Sequence, residues 1–90
     1  MATTAEWLRV EDATLLLVLE EAAGKLDGSD EVLLDFAGVQ RIDPAAVSAL
    51  ERLAVKAEEK GPRVTLRGVN VGIYKVLKLA RLAPRLSFTN

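Results

Sequence analysis

Ninety residues, half of them hydrophobic and 28% charged, with a formal net charge of −1, predict one small globular domain and leave no room for a second. A chain of this size buries only about 60–65% of its unfolded surface, so its stability margin is narrow. It is too apolar for disorder, its longest apolar run, Leu15 to Leu19, is far short of the roughly 20 residues that span a bilayer, and without histidine or cysteine it lacks the commonest metal ligands, nucleophile and near-neutral base.

Residues 1–5 read as a loose terminus. No charged region followed by an apolar one is seen there, so no secretory signal is read and the cytoplasm is the expected compartment. Glu6 to Val10 alternates, with Trp7 and Arg9 on one side and Leu8 and Val10 on the other, as a short strand does. Asp12 reads as the cap of a helix from Ala13 to Leu26 whose inner stripe is Leu15, Leu16, Leu19, Ala22, Ala23 and Leu26. The run Leu15 to Leu19 alone also suits a strand; the length of the segment and its alanines and glutamates favour helix. Residues 27–30, DGSD, form a turn.

The stretch from Glu31 to Gly61 organises the rest. Val32, Leu33 and Leu34 are continuous apolar residues, the pattern of a strand covered on both faces, and Asp35 closes it. A helix follows, capped by Asp43 and opened by Pro44, whose missing N–H costs nothing at the first helical position. Val47, Leu50, Leu53, Ala54 and Ala57 form its inner stripe, Ser48, Glu51, Arg52, Lys56, Glu58 and Glu59 lie outside, and Gly61 before Pro62 ends it. Arg63 to Arg67 alternates strictly, with Val64 and Leu66 inward and Thr65 and Arg67 toward solvent or an edge, so part of the sheet is expected to be uncovered. Asn70 caps a third helix with Ile73, Val76, Leu77 and Ala80 inside and Lys75, Lys78 and Arg81 outside; Pro84 stops it, and Leu86 to Phe88 add a last strand. The alternation of strand and helix predicts an α/β layer, a mixed and mostly parallel sheet with right-handed crossovers and helices packed on it.

Charge is lopsided. All 13 acidic residues fall at or before Glu59 with only 5 basic ones, a balance of −8, while the chain from Lys60 on carries 7 basic residues and no acidic one, a balance of +7. Nucleic acid or an anionic membrane surface would suit Lys75, Lys78, Arg81 and Arg85, yet only Tyr74 and Phe88 are present there for stacking, and a solvated helix face is the simpler reading. Nucleic acid and membrane insertion are therefore not expected. No Gly-rich phosphate loop is present, since Gly68 and Gly72 are too sparse, and the one carboxylate pair, Asp35 and Asp43, reads as a strand end and a helix cap rather than an acid–base couple. An enzyme is not expected, nor a cofactor or metal.

LLDFAGVQRIDPAAVSAL resembles the signature of the STAS domain: a strand ending in Asp, a small loop, then an Ile-Asp-Ser-Ser-Gly-like turn opening a helix. GPRVTLRGVN and the helix after it are similar to the family's next strand and helix, so the resemblance covers about Glu31 to Phe88. It implies a non-catalytic module, as in bacterial anti-sigma factor antagonists, sulfate transporters, and the small cytoplasmic subunit of an ABC system that maintains outer-membrane lipid asymmetry. VTLRGVN, Tyr74 and KLARL look most like the last of these.

The family's functional turn is altered here. Its Asp matches Asp43, Pro44 follows, and the serine or threonine that a switch kinase phosphorylates in the antagonists falls on Ala45, which has no hydroxyl; the family glycine is Ala46. A phosphate would add about −1.5 to −2 charge beside Asp43 and break a packed complex. Ala45 cannot carry it. Ser48, on the outer face, is the alternative acceptor. Arg41, Asp43, Pro44, Ala45 and Ser48 are the expected partner-binding residues, small enough at the helix start for a partner helix to approach. The expected partners are an anti-sigma factor or switch kinase, or else the ATPase of a phospholipid-transport ABC system. STAS domains usually begin with two strands and end with a helix, whereas one N-terminal strand is read here, so exposed sheet edges also suggest a homodimer.

Overall fold

A computed structural model describes residues 7–26 and 31–89. In chain order they form β1 (Trp7–Glu11), α1 (Leu15–Gly24), β2 (Glu31–Gly38), α2 (Pro44–Lys60), β3 (Arg63–Arg67), α3 (Val71–Leu79), a 3₁₀ turn (Ala83–Arg85) and β4 (Ser87–Thr89). The strands lie in the order β1-β2-β3-β4, and every neighbouring pair among the described residues is parallel. Each β-α-β step advances one strand in the same direction, so right-handed crossovers set the three helices side by side on one face.

That face is apolar. Val10, Val32, Leu34, Phe36, Val64 and Leu66 point into it and pack with Leu15, Leu19 and Ala22 of α1, Leu50, Leu53 and Ala57 of α2, and Ile73 and Leu77 of α3. The opposite face carries polar contacts instead. The Thr65 hydroxyl donates to Glu31 Oε1 at 3.1 Å, and the Arg67 guanidinium donates to Asp35 Oδ2 at 3.1 Å while lying 4.2 Å over the ring of Trp7.

Several sequence expectations change. The pattern around Leu33 does not mark a strand covered by helices on both faces: Leu33 is buried but stands outside the helix-facing core, between Trp7 and Thr65 in the register. Asp35 does not close β2, because the strand runs on to Gly38 and wholly buries Phe36. Residue Leu16 is 44% exposed and Ala23 half-buried, since a ten-residue helix resting on a sheet presents only the narrow stripe Leu15, Leu19 and Ala22. Val47 is likewise half-buried, its place deep in α2 taken by Ala46 and Ala49, and Val76 of α3 is exposed.

Helix α3 ends before Pro84 is reached. Arg81 adopts φ 62°, its N–H bonds the Lys78 carbonyl at 3.0 Å and the Leu82 N–H bonds the Leu77 carbonyl at 2.8 Å, which is a Schellman stop without glycine. The last strand begins one residue later than expected, at Ser87. The expected DGSD turn lies outside the described residues. No described helix is long and apolar enough to cross a membrane.

Candidate functional site

In a parallel sheet the loops that leave the C-terminal ends of the strands gather at one edge, where such folds place their sites. Here three loops meet there: residues 12–14 after β1, 39–43 after β2 and 68–70 after β3. The middle loop leads into α2, and the other two hold it. The Asp12 carboxylate accepts from the backbone N–H of Gln40 at 3.0 Å and of Arg41 at 3.4 Å. From the other side the Asn70 side-chain amide donates to the carbonyls of Val39 at 3.4 Å and Gln40 at 3.2 Å. The same Asn70 accepts from Ile73 N–H at 2.8 Å, so one side chain caps α3 and ties down the start of α2.

Close approach is built in as well. Gly68 sits at φ 71°, and a Cβ there would meet backbone and Cβ atoms of Ala37 at 2.9 Å. Within the middle loop Val39 N–H bonds the Phe36 carbonyl at 2.9 Å, and Val39 itself is buried. Every backbone group fixed in this way is spared an ordering cost on binding.

Helix α2 starts with Asp43 in extended backbone, its carboxylate accepting from Ala46 N–H at 2.8 Å, and Pro44 at the first helical position. Ile42 and Val47, on either side of the cap, both pack against the core and fix the angle at which the chain enters the helix. Asp43, Pro44, Ala45 and Ser48 are all exposed within the first two turns, and Arg41 is exposed two residues before the cap. The structure thus brings the five sequence-predicted residues together on one edge. Around the capped helix end they set one cation, Arg41, and one carboxylate, Asp43, beside the small side chains of Pro44, Ala45 and Ser48.

The pairing of Asp35 with Asp43 dissolves. Asp35 Oδ1 accepts from Ala37 N–H at 3.0 Å and Oδ2 from Arg67; the Ala37 bond first and Arg67 next hold its carboxyl below the usual carboxylate range, against the opposing effect of burial. Its oxygens are thus committed within the sheet, while the Asp43 carboxylate is bonded at the helix start. Among the described residues no group of three or more acidic, histidine or cysteine side chains is placed to hold a metal.

Two elements of the site escaped the sequence reading. Asp12 is not the cap of α1: the helix starts at Leu15 with Thr14 at the cap position making no side-chain capping bond, and the Asp12 carboxylate reaches across to the α2 loop instead. Asn70 was legible as a cap, but its two donated bonds span about thirty residues of chain and leave no local signal.

The family described as "Mlab, STAS domain" matches residues 7–86. Nine chains of solved structure also match, among them the NMR structure of the protein TM1081, with a TM-score of 0.72 over 93% of this chain and 72% of that one. At 17% identity that likeness speaks for the fold alone. No curated protein matches the chain.

Proposed function

The chain belongs to the STAS domain family, and on that premise we propose that it is a protein-binding regulatory module of the anti-sigma factor antagonist type, with no covalent chemistry of its own. The partner docks on the start of α2. The observation that carries this reading is Ala45: an exposed residue at the second helical position, where the family's antagonists have a hydroxyl, on a loop that Asp12 and Asn70 already hold in place. A partner meeting Pro44, Ala45 and Ser48 would order few side chains, so little of its contact energy is lost to entropy. Without a hydroxyl at Ala45 the complex has no phosphate to break it, and binding is constitutive.

Incubation with a cognate switch kinase and ATP tests the lock. The expected mass is that of the unmodified chain, with the complex intact. Phosphate on Ser48 or any other residue of the turn overturns it.

A second reading is favoured by the segment Val64 to Asn70, whose VTLRGVN sequence resembles the lipid-transport subgroup and whose Asn70 ties down the α2 loop. In that reading the same platform docks on the ATPase of a phospholipid-transport ABC system. Affinity capture from the native cytoplasm separates them, since recovery of an ABC ATPase supports the second and recovery of a kinase-like anti-sigma factor the first.

A further inference from the structure

The two outer helices expose apolar residues in settings of opposite charge. On α1, Leu17 is 68% and Leu16 44% exposed, with Glu20 and Glu21 on the same outward side. On α3, Val71 is 70% and Leu79 85% exposed, in line with Lys75 at four-residue spacing and flanked by Lys78, with Arg81 just beyond. No ion pair among the described residues engages Glu20, Lys75, Lys78 or Arg81, and Glu21 meets only Lys25 in an exposed pair at 3.4 Å. Each helix therefore offers what the other lacks.

The topology lets both demands be met at once. The strand order places α1, α2 and α3 side by side and running in the same direction over one face of the sheet. A twofold axis parallel to the helices, lying over α2, sets α1 of each copy against α3 of the other, and sets α2 against itself. On α2 the residues nearest that axis are Ser48 and Val55, with Glu51 and Arg52 on opposite sides, so each Arg52 meets the partner's Glu51. Such an interface uses the same patch on both copies and closes at two. It needs about 800 Å² from each copy, a modest share of the 5912 Å² that one chain exposes.

We propose that the helical face is covered by a second copy of this chain, α1 on α3 and α3 on α1, held by Leu17, Val71 and Leu79 and by the opposed charges around them. Ser48 lies on both this face and the docking platform, so the two associations compete. The self-association is measured on the chain alone and stands or falls without the docking reading.

Sedimentation equilibrium of the full chain, from about 10 μM to about 1 mM, is expected to show a dimer that loosens as salt rises. Two variants test the pairing, Lys75→Glu with Lys78→Glu, and Glu20→Lys with Glu21→Lys. All four sites are exposed, so circular dichroism should show both variants folded. Each alone should weaken the dimer about tenfold or more, and their mixture should form a heterodimer near wild-type strength, because both α1–α3 contacts regain opposite charge. Leu79→Ser should loosen the dimer with no change of charge. A wild-type chain that stays monomeric throughout, variants that leave the dimer unchanged, or a mixture that fails to recover overturns the proposal. A monomer that binds vesicles of anionic phospholipid through Lys75 and Lys78 also overturns it, in favour of a membrane surface.

Discussion

The starts of α1 and α2 meet the same need, four N–H groups without helical partners, in different ways. At α1 the fastening is local and slight: Thr14 makes no capping bond and its hydroxyl reaches back only to Glu11, in solvent. At α2 the cap is complete, and the loop before it is pinned by Asp12 from one neighbour and Asn70 from the other. The contrast is between an end that only begins a helix and an end whose loop is bonded by residues distant in sequence, while Asp43, Pro44, Ala45 and Ser48 on its outside stay exposed. Rigidity under a bare, small-residue surface is what a docking platform requires.

The largest test of this contrast strikes the approach that brings the loops together. Gly68→Ala puts a Cβ against Ala37 at a φ that alanine disfavours, and should cost about 3 kcal/mol in chemical denaturation. A cost below about 1 kcal/mol, within the range of an ordinary surface change, would show that the loops are not so closely packed. Asn70→Ala removes a helix cap and both bonds to the α2 loop, for about 2 kcal/mol, and Asp12→Ala about 1 kcal/mol, since its bonds are exposed. Both should also raise amide exchange at Gln40 and Arg41. Loss of stability without faster exchange there would break the claim that these side chains hold the loop.

Asp35 gives a pH-dependent comparison between the sheet and the loops. Its carboxyl is held below the ordinary range in the folded chain, so its contribution to stability is fully present above about pH 4 and is lost as pH falls through the folded value. Asp35→Asn should therefore destabilise the protein at neutral pH and make its urea midpoint fall less steeply with acid; an unchanged slope would contradict the bonding to Ala37 and Arg67. Smallest of all, Thr14→Ala should cost less than about 0.5 kcal/mol, because it severs only exposed local contacts. A cost equal to that of Asn70→Ala would erase the distinction between the two helix starts.

Local signals were legible in the sequence, and long-range ones were not. Asp43-Pro44 and Gly61 announced α2 at both ends because capping uses residues within four positions of each other, and Asn70 announced α3 for the same reason. The alternation in Arg63 to Arg67 placed Val64 and Leu66 on the core side as expected, but Thr65, read as facing solvent or an edge, is buried on the other face next to Leu33 in the register, with its hydroxyl donated to Glu31. The apolar run at Val32 to Leu34 misled, because periodicity cannot tell a strand under helices on both faces from one whose outer residue, Leu33, is sheltered between Trp7 and Thr65. Asp12 misled more instructively. An aspartate before a helical segment is a fair cap, but here the chain turns at 12–14 first, and the freed carboxylate serves a loop twenty-eight residues away. The family's turn pointed to Arg41, Asp43, Pro44, Ala45 and Ser48 as neighbours at one helix start, whereas the bonds by which Asp12 and Asn70 hold the loop before them became visible only once the three loops met.

Docking at the start of α2, as proposed, is tested most directly by placing charge there without disturbing the fold. Ala45→Asp adds a carboxylate at an exposed first-turn position, where the helix dipole offsets the small loss of helix propensity, so stability should stay within about 0.5 kcal/mol of the wild type. Affinity capture from a lysate of the native cells is then run in parallel with the wild-type chain and this variant. A protein retained by the wild type is expected to be lost from Ala45→Asp while both chains unfold at the same urea concentration. Retention of the same protein by both, at equal yield, would contradict a docking site at the start of α2.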